Sequence, residues 1–308
     1  MKRGLTLIEL LIALTIFGFV LGAILSIYFY QQKRAIYVEQ TSIMQTDAQI
    51  AFELIKRDIM HAGLGLPVDR MPVQGINGGE NAPDQITLFG VAFFAELPRA
   101  RWNPVIALST GGIIICRNWD EPERDIQIGD TVIILSQFKK LLYPPQMNLY
   151  VTDVNVEGNR RIITLNDPTV QVNAGGFLFR VTGNIFEIGI TYWLDQDTRR
   201  LMRNNDIFLE NVEDFQIAYG YDWDRDSIVE EDEFRNDLTG LTPDSLYKRP
   251  FLIRVSILVR TEKGIGGFRF PRDNLNIEDR IIHLHEFERK YNRIILTGTV
   301  FPRNLKGG

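Results

Sequence analysis

The chain opens on a basic tripeptide, Met1-Lys2-Arg3, closed by Gly4. An apolar run then starts at Leu5 and carries a single acid, Glu9, before the next charge at Lys33. From Leu10 to Tyr30 the only polar side chains are Thr15, Ser26 and two tyrosines. As a helix at 1.5 Å per residue, that stretch covers the ~30 Å of a hydrocarbon core. Residues 5–30 are therefore expected to span a membrane. A carboxylate held at the depth of Glu9 costs roughly 2.5–3.5 kcal/mol on insertion scales, so it needs both a partner and a purpose. No small-residue cleavage site of the ordinary secretory kind follows Leu25, which argues against a conventional signal peptide.

The start resembles the class III leader of type IV prepilins on the residues Gly4, Leu5 and Glu9. The resemblance implies that a prepilin peptidase cuts after Gly4, removing residues 1–4 as the leader. It also implies methylation of the new amino terminus at Leu5 and a role for Glu9 in assembly. Most family members carry Phe where this chain has Leu5. With Leu5 as terminus, its ammonium lies one helical turn from Glu9, and the two charges attract strongly in a low dielectric. Pairing within the chain and pairing with the terminus of a neighbouring subunit both satisfy that attraction. Gly18, Gly22 and Ser26 form a ridge of small residues that would let another helix approach closely, or they are simply tolerated there. Lys2 and Arg3 precede the span and Lys33 and Arg34 follow it, so loop charge sets no orientation. The resemblance places the amino terminus in the cytoplasm and the rest in the periplasm, anchored in the inner membrane before transfer to a filament.

The net charge of −5, falling to −7 once Lys2 and Arg3 leave, argues against general electrostatic binding to nucleic acid. Cys116, the one cysteine, rules out an intrachain disulfide, and its setting in Ile-Ile-Ile-Cys reads as a buried thiol. Beyond the span, Met44, Ala48, Phe52, Ile55 and Ile59 recur at helical spacing, while Glu53, Lys56, Arg57 and Asp58 fall mostly off that stripe. The helix is thus expected to continue as an amphipathic half over residues 31–63 and to stop at Gly63, Gly65 and Pro67.

Residues 66–308 read as a β-rich head. Short runs rich in β-branched and aromatic residues alternate with turn signals, as over residues 85–89, 112–117, 131–137, 149–156, 161–165, 177–183, 184–194 and 200–204. Residues 211–221 alternate cleanly, and the nearly uniform apolar run 251–259 suits a central strand covered on both faces. Residues 90–104 read as a long loop over the core. The fold class is α+β: one long amino-terminal helix and a largely antiparallel β domain.

Directly after the alternating strand, the run DWDRDSIVEEDE places Asp222, Asp224 and Asp226 at loop positions one, three and five. Ile228 stands at seven, Glu230 at nine and Glu233 at twelve. That is the ligand spacing of an EF-hand-type calcium loop, where carboxylates and one backbone carbonyl, here that of Ile228, supply oxygens to a hard cation. Position six is Ser227 where the turn normally takes glycine. A solvated acidic loop is the plainer alternative.

The runs FLENVEDFQIAYGYDWDRD, RPFLIRVSILVRTEK and RIILTGTVFPRNL are similar to those of PilW-like minor pilins, as is the helix-end stretch AFELIKRDIMHAGLG. J-type pseudopilins of type II secretion share much of this layout. The resemblance implies a subunit that primes or caps a type IV pilus-like filament. Its partners would be other minor and major pilins, the prepilin peptidase and an inner-membrane assembly platform. A membrane-tethered β domain that binds a ligand or DNA without polymerising is the reading from another class. No Ser-His-Asp or Cys-His set stands in suggestive context, so catalysis is not expected.

Overall fold

The computed structural model describes residues 7–91, 101–181 and 189–305. A single helix, α1 (Leu7–His61), takes in both the apolar run and the amphipathic stretch, about 80 Å at 1.5 Å per residue. Its two halves have opposite surroundings. From Leu7 to Tyr30 the side chains are exposed. Thr15 and Ser26 donate to the carbonyls of Leu11 and Gly22, each at 2.8 Å, so both hydroxyls are satisfied within the helix, as hydrocarbon requires.

From Met44 onward one face is buried, through Ala48, Ala51, Ile55, Asp58 and Ile59. Ala51 takes the seam in place of Phe52, whose half-buried ring lies beside Gly298. Asp58, expected to lie off the stripe, is on it: its Oδ2 accepts from the Tyr192 hydroxyl at 2.6 Å and from Arg203 Nε at 3.0 Å. A carboxylate can be buried there because a hydroxyl and a guanidinium meet it. Past His61 the chain turns through Gly63 and Gly65, at φ of +78° and +66°. A Cβ on Gly65 would lie 2.6 Å from Val91 Cγ2, so this position needs glycine both for conformation and for space.

After the helix come β1 (Val73–Ile76) and β2 (Gln85–Phe89). Then follow β3 (Trp102–Pro104), β4 (Ile113–Arg117), β5 (Val132–Leu135), β6 (Val151–Glu157), β7 (Arg160–Leu165) and β8 (Phe177–Arg180). The rest are β9 (Gly189–Asp195), β10 (Arg200–Arg203), β11 (Asp206–Glu210), β12 (Val212–Tyr221), β13 (Phe234–Arg235), β14 (Phe251–Arg260), β15 (Asn274–Ile277), β16 (Arg280–His283) and β17 (Arg293–Val300). A short helix, α2 (Pro243–Lys248), precedes β14; Thr242 caps it and Leu246 and Tyr247 are buried.

Two sheets enclose the buried face of α1: a five-stranded one ordered β1-β2-β9-β10-β11 and a four-stranded one ordered β13-β12-β14-β17. The strand pairs within them are antiparallel, as the α+β reading expected. Ile55, Ile59, Ile86, Tyr192, Phe215, Ile217, Phe251 and Val255 belong to their common core. β14 lies between β12 and β17 and is buried along most of its length.

β2 pairs directly with β9, Ile86 opposite Tyr192 and Leu88 opposite Ile190. The chain between them is an insertion with two three-stranded sheets, β3-β8-β5 and β4-β7-β6. The insertion has its own core of Ile114, Cys116, Ile134, Ile163, Leu165 and Leu178. Cys116 is fully buried, and burial pushes its thiol pKa up to about 12. A third cluster, Val91, Ile133, Leu135, Phe179 and Val181 with Leu64 and Trp102 against it, seats the insertion on the end of α1. Trp102–Pro104, expected within a long loop, is a strand because β8 offers it a partner, Trp102 opposite Phe179. Residues 92–100 of that expected loop, and residues 182–188 of two expected strands, lie outside the described residues.

Candidate functional site

Two places carry the residues singled out by the sequence. At the first, Gly4 and Leu5 lie outside the described residues, and Glu9 sits in the first turn of α1. Leu7, Ile8, Leu10, Leu11 and Ile12 surround Glu9 with exposed apolar surface. A Cβ built on Gly18 or Gly22 meets nothing within 4 Å, so the small-residue ridge of the helix is open. Higher up, Asn292 Nδ2 contacts the hydroxyls of Tyr37 and Thr41 at 3.4 and 3.2 Å, fastening the middle of the helix to the start of β17. Above the apolar run, Ile43 and Ile50 are exposed beside Ile207 in an open cleft between α1 and β11.

At the second place, β12 ends at Tyr221 and delivers Asp222 buried at the mouth of the acidic loop. Each carboxylate organises backbone. Asp222 accepts from the Arg225 N–H at 2.6 Å and the Ser227 N–H at 3.2 Å. Asp224 accepts from Asp226 at 3.1 Å, and Asp226 from Ile228 at 2.7 Å. These are the side-chain-to-backbone turns that Asp makes readily. They wind the loop so that one carboxylate oxygen from each of Asp222, Asp224 and Asp226 lies within 4.8 Å of the others. Ser227 takes φ +71°, the left-handed conformation that position six demands, and Arg225 takes +75°.

The last two candidate ligands are placed differently. Glu233 folds back on the loop entrance, Oε1 accepting from the Trp223 N–H at 2.6 Å and Oε2 from the Glu230 N–H at 3.2 Å. Glu230 caps the 3₁₀ turn of residues 231–233. The loop thus gathers positions one, three and five and uses position twelve as a clasp. Arginines frame it: Arg249 donates to the Asp222 carbonyl at 3.0 Å, and Arg235 lies over the Trp223 ring at 3.8 Å. Oxygen donors in this arrangement suit a hard cation such as calcium.

Residues 1–25 match the model of the prokaryotic N-terminal methylation motif. The motif indicates a type IV pilin-like precursor, processed by prepilin peptidase and assembled with other pilins. With the apolar first half of α1 behind it, the leader fits a membrane-anchored protein. No curated protein and no solved structure matches the chain.

Proposed function

We propose that this protein is a minor pilin or pseudopilin, a structural subunit that primes or caps a type IV pilus-like filament after prepilin peptidase cleavage. The observation that carries the reading is one helix with two surroundings. The methylation motif opens it, its apolar half is bare, and its other half is locked into the core of a β-rich head. A helix of this kind can leave a bilayer only for another apolar environment, which neighbouring subunits supply. The open ridge at Gly18 and Gly22 and the exposed Ile43 and Ile50 offer such contacts. Glu9 then pairs with a processed terminus, and the head stays in the periplasm until the filament carries it outward.

The acidic loop, in this reading, takes calcium on Asp222, Asp224 and Asp226, with the Ile228 carbonyl and Glu230 completing the set and Glu233 holding the loop closed. The ion would steady the head beside the α1 core.

Intact-mass analysis of the protein from membranes, with and without the cognate prepilin peptidase, is the first test. Loss of residues 1–4 with gain of one methyl group, only when the peptidase is present, is the expected result. Glu9→Ala should leave cleavage intact and remove the subunit from sheared filaments. A chain that begins at Met1 in both strains refutes the reading and leaves a membrane-tethered β domain.

A further inference from the structure

On the face of β12 turned away from α1, Asp214 and Gln216 are completely buried. The β15–β16 hairpin packs over this side of the sheet through Leu275 and Ile277 against Leu258, and residues 77–84 run along the edge of β12. Hydrogen bonds close these three elements into a ring. Gln216 Nε2 donates to the Ala82 carbonyl at 3.3 Å and to Asp214 Oδ1 at 3.1 Å. Arg280 Nη1 donates to the same Asp214 oxygen at 2.5 Å. The neighbouring Asp279 accepts from Asn77 Nδ2 at 3.3 Å. Next to Asn77, the Gly78 N–H donates to Asp84 Oδ1 at 2.8 Å, while Asp84 Oδ2 accepts from the Ile217 N–H at 2.7 Å.

The ring is short of positive charge and of donors. Of its three carboxylates, Asp84, Asp214 and Asp279, Asp214 is paired with a guanidinium, that of Arg280, while Asp84 and Asp279 accept from neutral amide N–H groups. Three of its buried oxygens, Asp214 Oδ2, Gln216 Oε1 and Asp279 Oδ1, have no hydrogen-bond partner among the described residues. All three are acceptors, and a buried acceptor without a donor costs its full desolvation. A lone water offers two protons and no charge; a divalent cation answers both deficits. Oxygen-only donors of this kind select a hard ion.

We infer that this ring binds a divalent cation of the Ca²⁺ or Mg²⁺ class. Asp214 Oδ2, Gln216 Oε1 and Asp279 Oδ1 are its protein donors, with Asp84, whose oxygens already accept N–H bonds, supplying charge behind them. No residue of the acidic loop takes part. The ion ties the β15–β16 hairpin and residues 77–84 to β12 and so joins the two sheets on the side opposite α1.

The test is calorimetric titration of chelator-treated full-length protein in detergent with CaCl₂ and, separately, MgCl₂, each paired with a thermal melt. Three proteins are compared: the parent, the loop double variant Asp224→Ala and Asp226→Ala, and Asp279→Asn, a change at a half-buried turn that leaves the fold's core untouched. One saturable site for either ion that survives in the loop variant and weakens at least tenfold in Asp279→Asn supports the inference. No site in the loop variant overturns it while leaving calcium at the loop standing, and equal affinity in Asp279→Asn also overturns it. A parent with a single site, lost in Asp279→Asn alone, supports the ring and removes calcium from the loop.

Discussion

Asp58 is the one charge that α1 commits to the head core, and its removal gives the sharpest test of how stalk and head are joined. Its side chain is 3 % exposed and that of its partner Arg203 12 %. Tyr192, fully buried, gives Asp58 its hydroxyl at 2.6 Å. Burial and then the adjacent Asp58 hold the tyrosine hydroxyl protonated well above its ordinary range. Asp58→Ala strands a guanidinium and a hydroxyl in an apolar core, and breaking a buried pair from one side costs about 3–5 kcal/mol. For a head of this size 1 kcal/mol moves Tm by about 2–4 °C, so a fall of about 10 °C is expected. The assay is thermal and urea unfolding of full-length protein in detergent, followed by far-ultraviolet circular dichroism. The triple variant Asp58→Leu, Tyr192→Phe, Arg203→Met should recover more than half of that loss, because it removes the hydroxyl and the guanidinium together with the carboxylate. A loss under about 1 kcal/mol in Asp58→Ala would refute the claim that this contact joins helix and sheet. So would a triple variant less stable than the single one.

Asp84 should make stability depend on pH. Its folded pKa of about 6 stands above the ordinary 3.8, so the folded state takes up a proton first and gains stability as pH falls through 6. In chelator, between pH 7 and 5, the stability difference between the parent and Asp84→Asn should shift by about 1 kcal/mol in favour of the parent; a constant difference denies the titration. Cys116 should resist maleimide in the native protein and react at the rate of unfolding, read by mass spectrometry; rapid native labelling would mean that the insertion core is open. Gly65→Ala should cost about 2 kcal/mol or more, since it pays for positive φ and meets Val91 at once; an unchanged urea midpoint would contradict the packing there.

What the sequence made legible was whatever its chemistry declares locally. Apolar length announced the bare half of α1, the stripe from Met44 to Ile59 announced the buried half, alternation placed β12 and a nearly uniform apolar run placed β14, each within a residue of its ends. Pairings between distant segments carry no local mark. Nothing in Gln85–Phe89 shows that its partner is Gly189–Asp195, so the intervening strands did not read as an insertion. Asp58 was misplaced for the same reason: a carboxylate in an amphipathic pattern reads as solvent-facing unless its partners, 134 and 145 residues away, are seen. In the acidic loop the spacing located Asp222, Asp224 and Asp226 correctly as neighbours. It did not show that Glu233 spends its oxygens on backbone amides at the loop entrance. The α2 turn had a readable signal in Thr242-Pro243 with Ser245, a reciprocal cap around a proline at the first helical position.

The placement of the insertion bears on how such a subunit can vary. Its strands leave the main sheet at Phe89 and return at Gly189, and its contact with the stalk is through Leu64, Val91, Leu135 and Phe179, just past the carboxyl end of α1. That end lies about 80 Å along the helix from Leu7. Among the described residues, the apolar half of the helix and the insertion therefore share no core. Substitutions on the insertion surface can change what it touches without altering helix packing, provided Gly63 and Gly65 still turn the chain and Val91 still seats on Phe179. Conversely, Met44 to Ile59 belong to the same core as β12 and β14, so a change that loosens the helix there loosens the head. In the filament subunit proposed above, the polymerising end and the insertion surface are therefore separate parts of the molecule, joined through the turn at Gly63 and Gly65 and through the core that Met44 to Ile59 share with β12 and β14.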